Sequence, residues 1–180
     1  MKRANKKAMI LILLFVVLPV CISADPFRFQ IAHAINVSSS YSLVFWKFRT
    51  AEAIPNNAVS YSSGGDYGLA TLGITYNSRV RIPKLEIEVS NLTLNGDDSK
   101  FLDFTLQVYK ANDPTSPFSF TQTSPHGAGS ATLFTNKTFT KYDTTHTWNN
   151  DEIADFRIII DDSTAVAGTY SGYLKFIVTT

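Results

Sequence analysis

The chain has 180 residues, 16 Lys and Arg against 15 Asp and Glu, 44% hydrophobic and 13% aromatic residues, and a single cysteine. Its cations are scattered singly among carboxylates apart from Arg79, Arg81 and Lys84; a phosphate-binding protein needs a clustered basic face, so nucleic acid is excluded as an expected partner. One cysteine permits neither an internal disulfide nor a cysteine-based metal site, which leaves packing among the many aromatic side chains as the source of stability.

The first element is a leader. Lys2, Arg3, Lys6 and Lys7 precede the apolar run Ala8 to Val20, and the small-residue stretch Cys21-Ile22-Ser23-Ala24 follows it. Thirteen apolar residues are short for a membrane span and suit the core of a secretory signal peptide, with cleavage expected after Ala24. The mature chain then runs from Asp25, carries no transmembrane helix, and has 12 Lys and Arg against 15 Asp and Glu, a formal charge near −3. Leu18-Pro19-Val20-Cys21 also resembles the lipidation box of bacterial lipoproteins, with Val20 where that box has Gly, Ala or Ser. Periplasm, cell surface or fimbrium are the expected destinations of such an exported chain.

Beyond the leader the apolar pattern has period two. Phe27 to Ile31, Tyr41 to Phe48 and Ala70 to Tyr76 are the early strands, and Leu85-Glu86-Ile87-Glu88-Val89 puts three aliphatics on one side and two carboxylates on the other. Leu102 to Val108, Thr132 to Phe139, Phe156 to Ile160 and Leu174 to Val178 complete about eight strands. Asn95-Gly96 marks a tight hairpin, and Ser63 to Asp66, Asn112 to Pro114, Gly127 to Gly129, Asn149 to Asp151 and Asp161 to Ser163 read as turns. Pro55-Asn56-Asn57 is a further turn signal, Pro114 to Gly129 reads as the longest loop, and Asp151 to Phe156 offers one helical turn after an Asn150 cap. Short strands without crossover helices predict an all-β fold: an antiparallel β-sandwich forming a single domain over residues 25–180.

Chemistry-bearing residues are sparse. His33, His126 and His146 have no partner at zinc spacing and read as loop or rim residues; no strand-to-helix serine elbow is present, so no catalytic residue, metal or cofactor is assigned and a secreted hydrolase is only a minor alternative. Acidic groups at Asp97-Asp98, Asp151/Glu152/Asp155 and Asp161-Asp162 lack the twelve-residue calcium-loop pattern and read as solvated turns. Trp148 and Tyr142 are candidate glycan contacts, joined by Tyr61 and Tyr67, whereas Trp46 in Leu43-Val44-Phe45-Trp46 reads as core. Asn36, Asn91 and Asn136 begin N-x-S/T triplets, which act as acceptors only in a glycosylating secretory pathway.

The segment Ala167-Gly168-Thr169-Tyr170 leading into Ser171-Gly172-Tyr173-Leu174-Lys175-Phe176-Ile177-Val178 resembles the closing strand of bacterial fimbrial (pilus) subunits and related exported immunoglobulin-like sandwiches. Phe27, Phe29, Ile31 and Ile35 alternate behind the leader as a donated N-terminal strand does. The resemblance implies an immunoglobulin-like or fimbrial-like fold and an exported structural or adhesive protein of the cell envelope. It makes those four residues a donor strand and Leu174, Phe176 and Val178 part of the acceptor edge, with other envelope proteins, further copies of the chain or a chaperone as partners. The same N-terminal strand also suits the first strand of its own sheet, and a monomeric carbohydrate-binding module is the alternative function. Two departures stand against the resemblance: the mature chain has no disulfide, and His33 occupies the donor phase.

Overall fold

A computed structural model of the chain describes residues 27–34, 41–54, 58–141 and 149–179. The leader with Cys21, the cut after Ala24, Ile35, Asn36, the turn at 55–57, Tyr142, His146 and Trp148 lie outside them, and so do the side chains of residues 28–34. The described residues form twelve strands: β1 (Phe27–Ala34), β2 (Tyr41–Trp46), β3 (Ala58–Tyr61), β4 (Gly65–Tyr76), β5 (Val80–Val89), β6 (Leu92–Leu94), β7 (Asp97–Lys110), β8 (Asp113–Pro117), β9 (Phe120–Gln122), β10 (Gly129–Phe139), β11 (Asn149–Asp161) and β12 (Tyr170–Thr179). All eight strands read from the alternation are present; β3, β6, β8 and β9 are short additions. Among the described residues no helix is long and apolar enough to cross a membrane.

One array runs β3-β1-β12-β5-β10-β9 and the other β2-β4-β11-β7-β8. Every pairing is antiparallel except that of β1 with β12, which is parallel. The arrays meet at β6, which pairs with β12 through Tyr170↔Leu94 and with β7 through Leu92↔Leu102. Period-two burial explains the layering: Tyr41, Leu43 and Phe45 of β2 are buried while Ser42, Val44 and Trp46 are not, and Leu174, Phe176 and Val178 of β12 are buried between partly exposed neighbours. The buried faces of the arrays touch in one apolar layer. The Phe176 ring of β12 lies 4.6 Å from Phe45 of β2 and 5.8 Å from Phe156 of β11, and Tyr76 of β4 lies 5.8 Å from Phe139 of β10.

Several local expectations need correction. Asp151 to Phe156 is extended chain inside β11, not a helical turn, and Asn149 to Asp151 begins that strand instead of forming a turn. Register shifts between Glu152 and Ala154 and between Phe156 and Arg157 interrupt the alternation there, which is why the segment does not read as one long strand. The Pro114 to Gly129 stretch contains β8 and β9. Pro114 and Pro117 fit because, among the described residues, β8 pairs only with β7 and sits at an edge, where a missing N–H donor costs little. The Asn95-Gly96 hairpin is formed, with Leu94 opposite Asp97 and φ of 50° and 77° at the two turn residues, as a primed turn requires.

Candidate functional site

Three places gather polar or chain-terminal features. The first is the seam between β1 and β12. Seven residue pairs, Arg28↔Ser171 through Ala34↔Ile177, join the two strands, and Ile31 sits opposite Leu174. The other edge of β12 carries β5 and β6, so Leu174, Phe176 and Val178 belong to an interior strand whose free edge is occupied by the chain's own β1. Phe27 is 3% exposed, with its ring 5.8 Å from Tyr170. Phe29 stands opposite Gly172, and Ile35 lies outside the described residues. Among the described residues β3 pairs with no strand but β1, over Phe27↔Tyr61 to Gln30↔Ala58. The N-terminal strand therefore bridges β12 and β3.

The second place is a buried carboxylate. Asp155, read from sequence as a solvated turn residue, is 0% exposed. It points from β11 to the outer face of its array, where Thr71 of β4 is its cross-strand partner. Thr71 Oγ1 donates to Asp155 Oδ1 at 2.7 Å, Arg49 Nε donates to Oδ2 at 2.8 Å, and the Asn112 N–H donates to Oδ2 at 3.1 Å. Desolvating a carboxylate is costly unless its lone pairs are filled, and here three donors fill them. Arg49 and Asn112 have φ of 53° and 59°, a left-handed conformation that costs roughly 1–2 kcal/mol for a non-glycine residue. Both strained residues bring a donor to the same carboxylate, and the Arg49 N–H also donates to Thr71 Oγ1 at 2.8 Å. The network pins the turn after β2 and the β7–β8 turn to the outer face. It acts as a structural clasp.

The third place is a groove of about 1300 Å³ over the outer face of β5, β10 and β12. It exists because β5 and β6 run along one edge of β12 with Ser90 and Asn91 between them, after which β5 keeps β10 as its other neighbour while β6 turns to β7. At this break Ser90 Oγ accepts the Tyr173 N–H at 2.9 Å and the Ser90 N–H donates to the Tyr173 carbonyl at 3.1 Å. Asn91 Oδ1 accepts the Ala128 N–H at 3.3 Å, tying the start of β10 to the same point. Gly172 is required here, since a Cβ would lie 2.9 Å from the Asn91 carbonyl oxygen. Two of the groove's carboxylates are already partnered: Glu86 Oε1 lies 2.7 Å from Lys84 Nζ, and Glu88 Oε2 accepts Lys175 Nζ at 3.4 Å. Tyr173 stands 39% exposed beside Glu88.

The remaining sequence candidates disperse. Tyr61 and Tyr67 stack at 4.2 Å, and burial, with Tyr67 alongside, pushes the Tyr61 hydroxyl above its ordinary pKa. Trp46 is on the outer face of β2 rather than in the core, its ring occupying the place a Cβ on Gly73 would take. His126 is at the rim as expected, with Nδ1 2.6 Å from Asp103 Oδ1 and its ring stacked on Phe101 at 4.5 Å. Asp97 is held at about 2, well below its ordinary 3.8, by hydrogen bonds from the Ser99 hydroxyl and N–H. Asp161 is lowered in the same way by Ser163. Sequence reasoning missed the clasp and the groove. A solitary Ser90-Asn91 between two alternating runs was the one available sign of the groove.

No known family model, curated protein or solved structure matches this chain.

Proposed function

We propose that this is an exported structural or adhesive protein of the cell envelope that works without catalysis and assembles by exchanging β1 between copies. The reading is supported above all by the seam. The first strand after the leader lies on the last strand of the chain over seven residue pairs, and among the described residues the backbone pairing of β3 is to β1. Withdrawing β1 leaves β12 with a row of unpaired N–H and C=O groups, a template for any matching strand. A second copy's β1 restores the same bonds, so exchange between copies balances lost cis contacts against identical trans ones and is governed by concentration. In this account Phe27, Phe29 and Ile31 are the donated residues and Leu174, Phe176 and Val178 the apolar side of the receiving strand.

The test is truncation. A chain beginning after Ile35 is expected to be unstable alone and to recover cooperative unfolding when a peptide spanning Asp25 to Ile35 is added. Full-length mature protein is expected to give detergent-resistant ladders that collapse on heating. A truncated chain that folds unaided and stays monomeric at every concentration refutes the assignment.

A further inference from the structure

We propose that the groove over β5, β10 and β12 is a binding site for a neutral oligosaccharide. The proposal does not depend on strand exchange, because the groove lies on the outer face of the array and is built on the β5–β6 break. Four observations carry it. First, at about 1300 Å³ it exceeds the roughly 300–1,000 Å³ usual for small-ligand pockets, which suits several linked rings rather than one. Second, the outward side chains supply closely spaced acceptors at Glu86, Glu88, Asn91 and Asp98, and pairs of neighbouring hydroxyls on a sugar ring need such acceptors. Third, two aromatic surfaces line it, Tyr173 at one side and the Phe101 ring, backed by His126, at the other; flat apolar rings with a polar tip suit the C–H face of a pyranose.

The fourth observation is charge. Among the described residues no lysine or arginine lines the groove, while Glu86, Glu88 and Asp98 do. With Glu86 and Glu88 each held by a lysine, the lining offers an anionic glycan no cation of its own and one further carboxylate, Asp98, to oppose it. A cationic ligand competes with Lys84 and Lys175, which already hold the two glutamates. A neutral polyhydroxylated chain is the class that uses these acceptors without disturbing either lysine.

Calorimetric titration of the mature protein with cellohexaose, xylohexaose, mannohexaose, N-acetylchitohexaose, hexagalacturonate and hexalysine decides the matter. Saturable binding of at least one neutral hexamer is expected, with hexagalacturonate silent. Tyr173→Ala is expected to weaken that binding tenfold or more, and Glu88→Ala, a change at a part-exposed position whose folding is checked by an unaltered far-UV spectrum, to do the same if Tyr173→Ala fails to fold. No neutral hexamer bound overturns the proposal. So does affinity unchanged in the folded variants, which moves the site elsewhere, or hexalysine binding in the absence of sugar binding, which makes the groove a peptide site.

Discussion

Replacing Arg49 with Ala removes the cation from a fully buried carboxylate and leaves the rest of the clasp standing. Breaking one side of a buried ion pair typically costs about 3–5 kcal/mol. Two features lower the figure here: the Arg49 side chain is 36% exposed, so water reaches the vacated place, and Thr71 and Asn112 still donate to Asp155. The expected loss is therefore roughly 2–3 kcal/mol, or about 6–12 °C in Tm for a domain of this size. Asp155→Asn removes the charge while keeping an acceptor for Thr71 or Asn112. In the Arg49→Ala background it should not add to the damage, so the double variant should be more stable than the sum of the single losses by about 1–2 kcal/mol. Urea unfolding followed by circular dichroism at constant m-value measures all three. Strict additivity, or an Arg49→Ala cost below about 0.5 kcal/mol, typical of an exposed pair, refutes the clasp.

Other perturbations probe the remaining layers. Phe176→Ala empties the point where Phe45 and Phe156 converge and should cost about 3–5 kcal/mol in the same urea assay; a loss near that of a surface change contradicts face-to-face packing. Gly73→Ala puts a methyl 2.0 Å from the Trp46 ring, which must swing outward, so tryptophan emission should shift to the red with a loss of roughly 1–3 kcal/mol. Gly96→Ala meets no atom within 4 Å but keeps φ at 77°, and should cost about 1 kcal/mol purely through the backbone. Asp97, Asp113, Asp161 and Glu52 all have lowered pKa values, through hydrogen bonds from Ser99, Ser116, Ser163 and Lys47 respectively. Their contribution is present above the unfolded carboxylate range and is lost as pH falls through the folded values, so urea midpoints should decline from pH 5 toward pH 2; a midpoint flat over that window contradicts the assignment.

The strands were legible because half-burial writes itself into sequence as alternation. Leu85, Ile87 and Val89 face the core while Glu86 and Glu88 face out, and no other arrangement of those five residues satisfies both solvents. The turn at Asn95-Gly96 was legible for a local reason too, since only a few residue types accept positive φ there. Asp155 was not. It occupies an outward strand position, where a carboxylate belongs, and what buries it is Arg49, 106 residues away in sequence. Trp46 misled in the opposite direction: its apolar neighbours suggest the core, but the period puts it outside and Gly73 on the next strand makes room for it. The groove depends on where one neighbour of β5 gives way to another, a property of strand order that adjacent residues do not encode.

The exchange of β1 is tested most directly by two single-cysteine variants of the chain starting at Asp25, Ala32→Cys and Lys175→Cys, at positions that face one another across the β1–β12 seam. Each copy carries one half of the pair, so a disulfide between them requires that β1 of one copy lie on β12 of the other. Co-refolding the two at high concentration under mild oxidation should give a mixed dimer by mass spectrometry, and replacing Lys175→Cys with Thr135→Cys on β10 should abolish it. Absence of the mixed dimer, or equal linkage to both positions, contradicts the account.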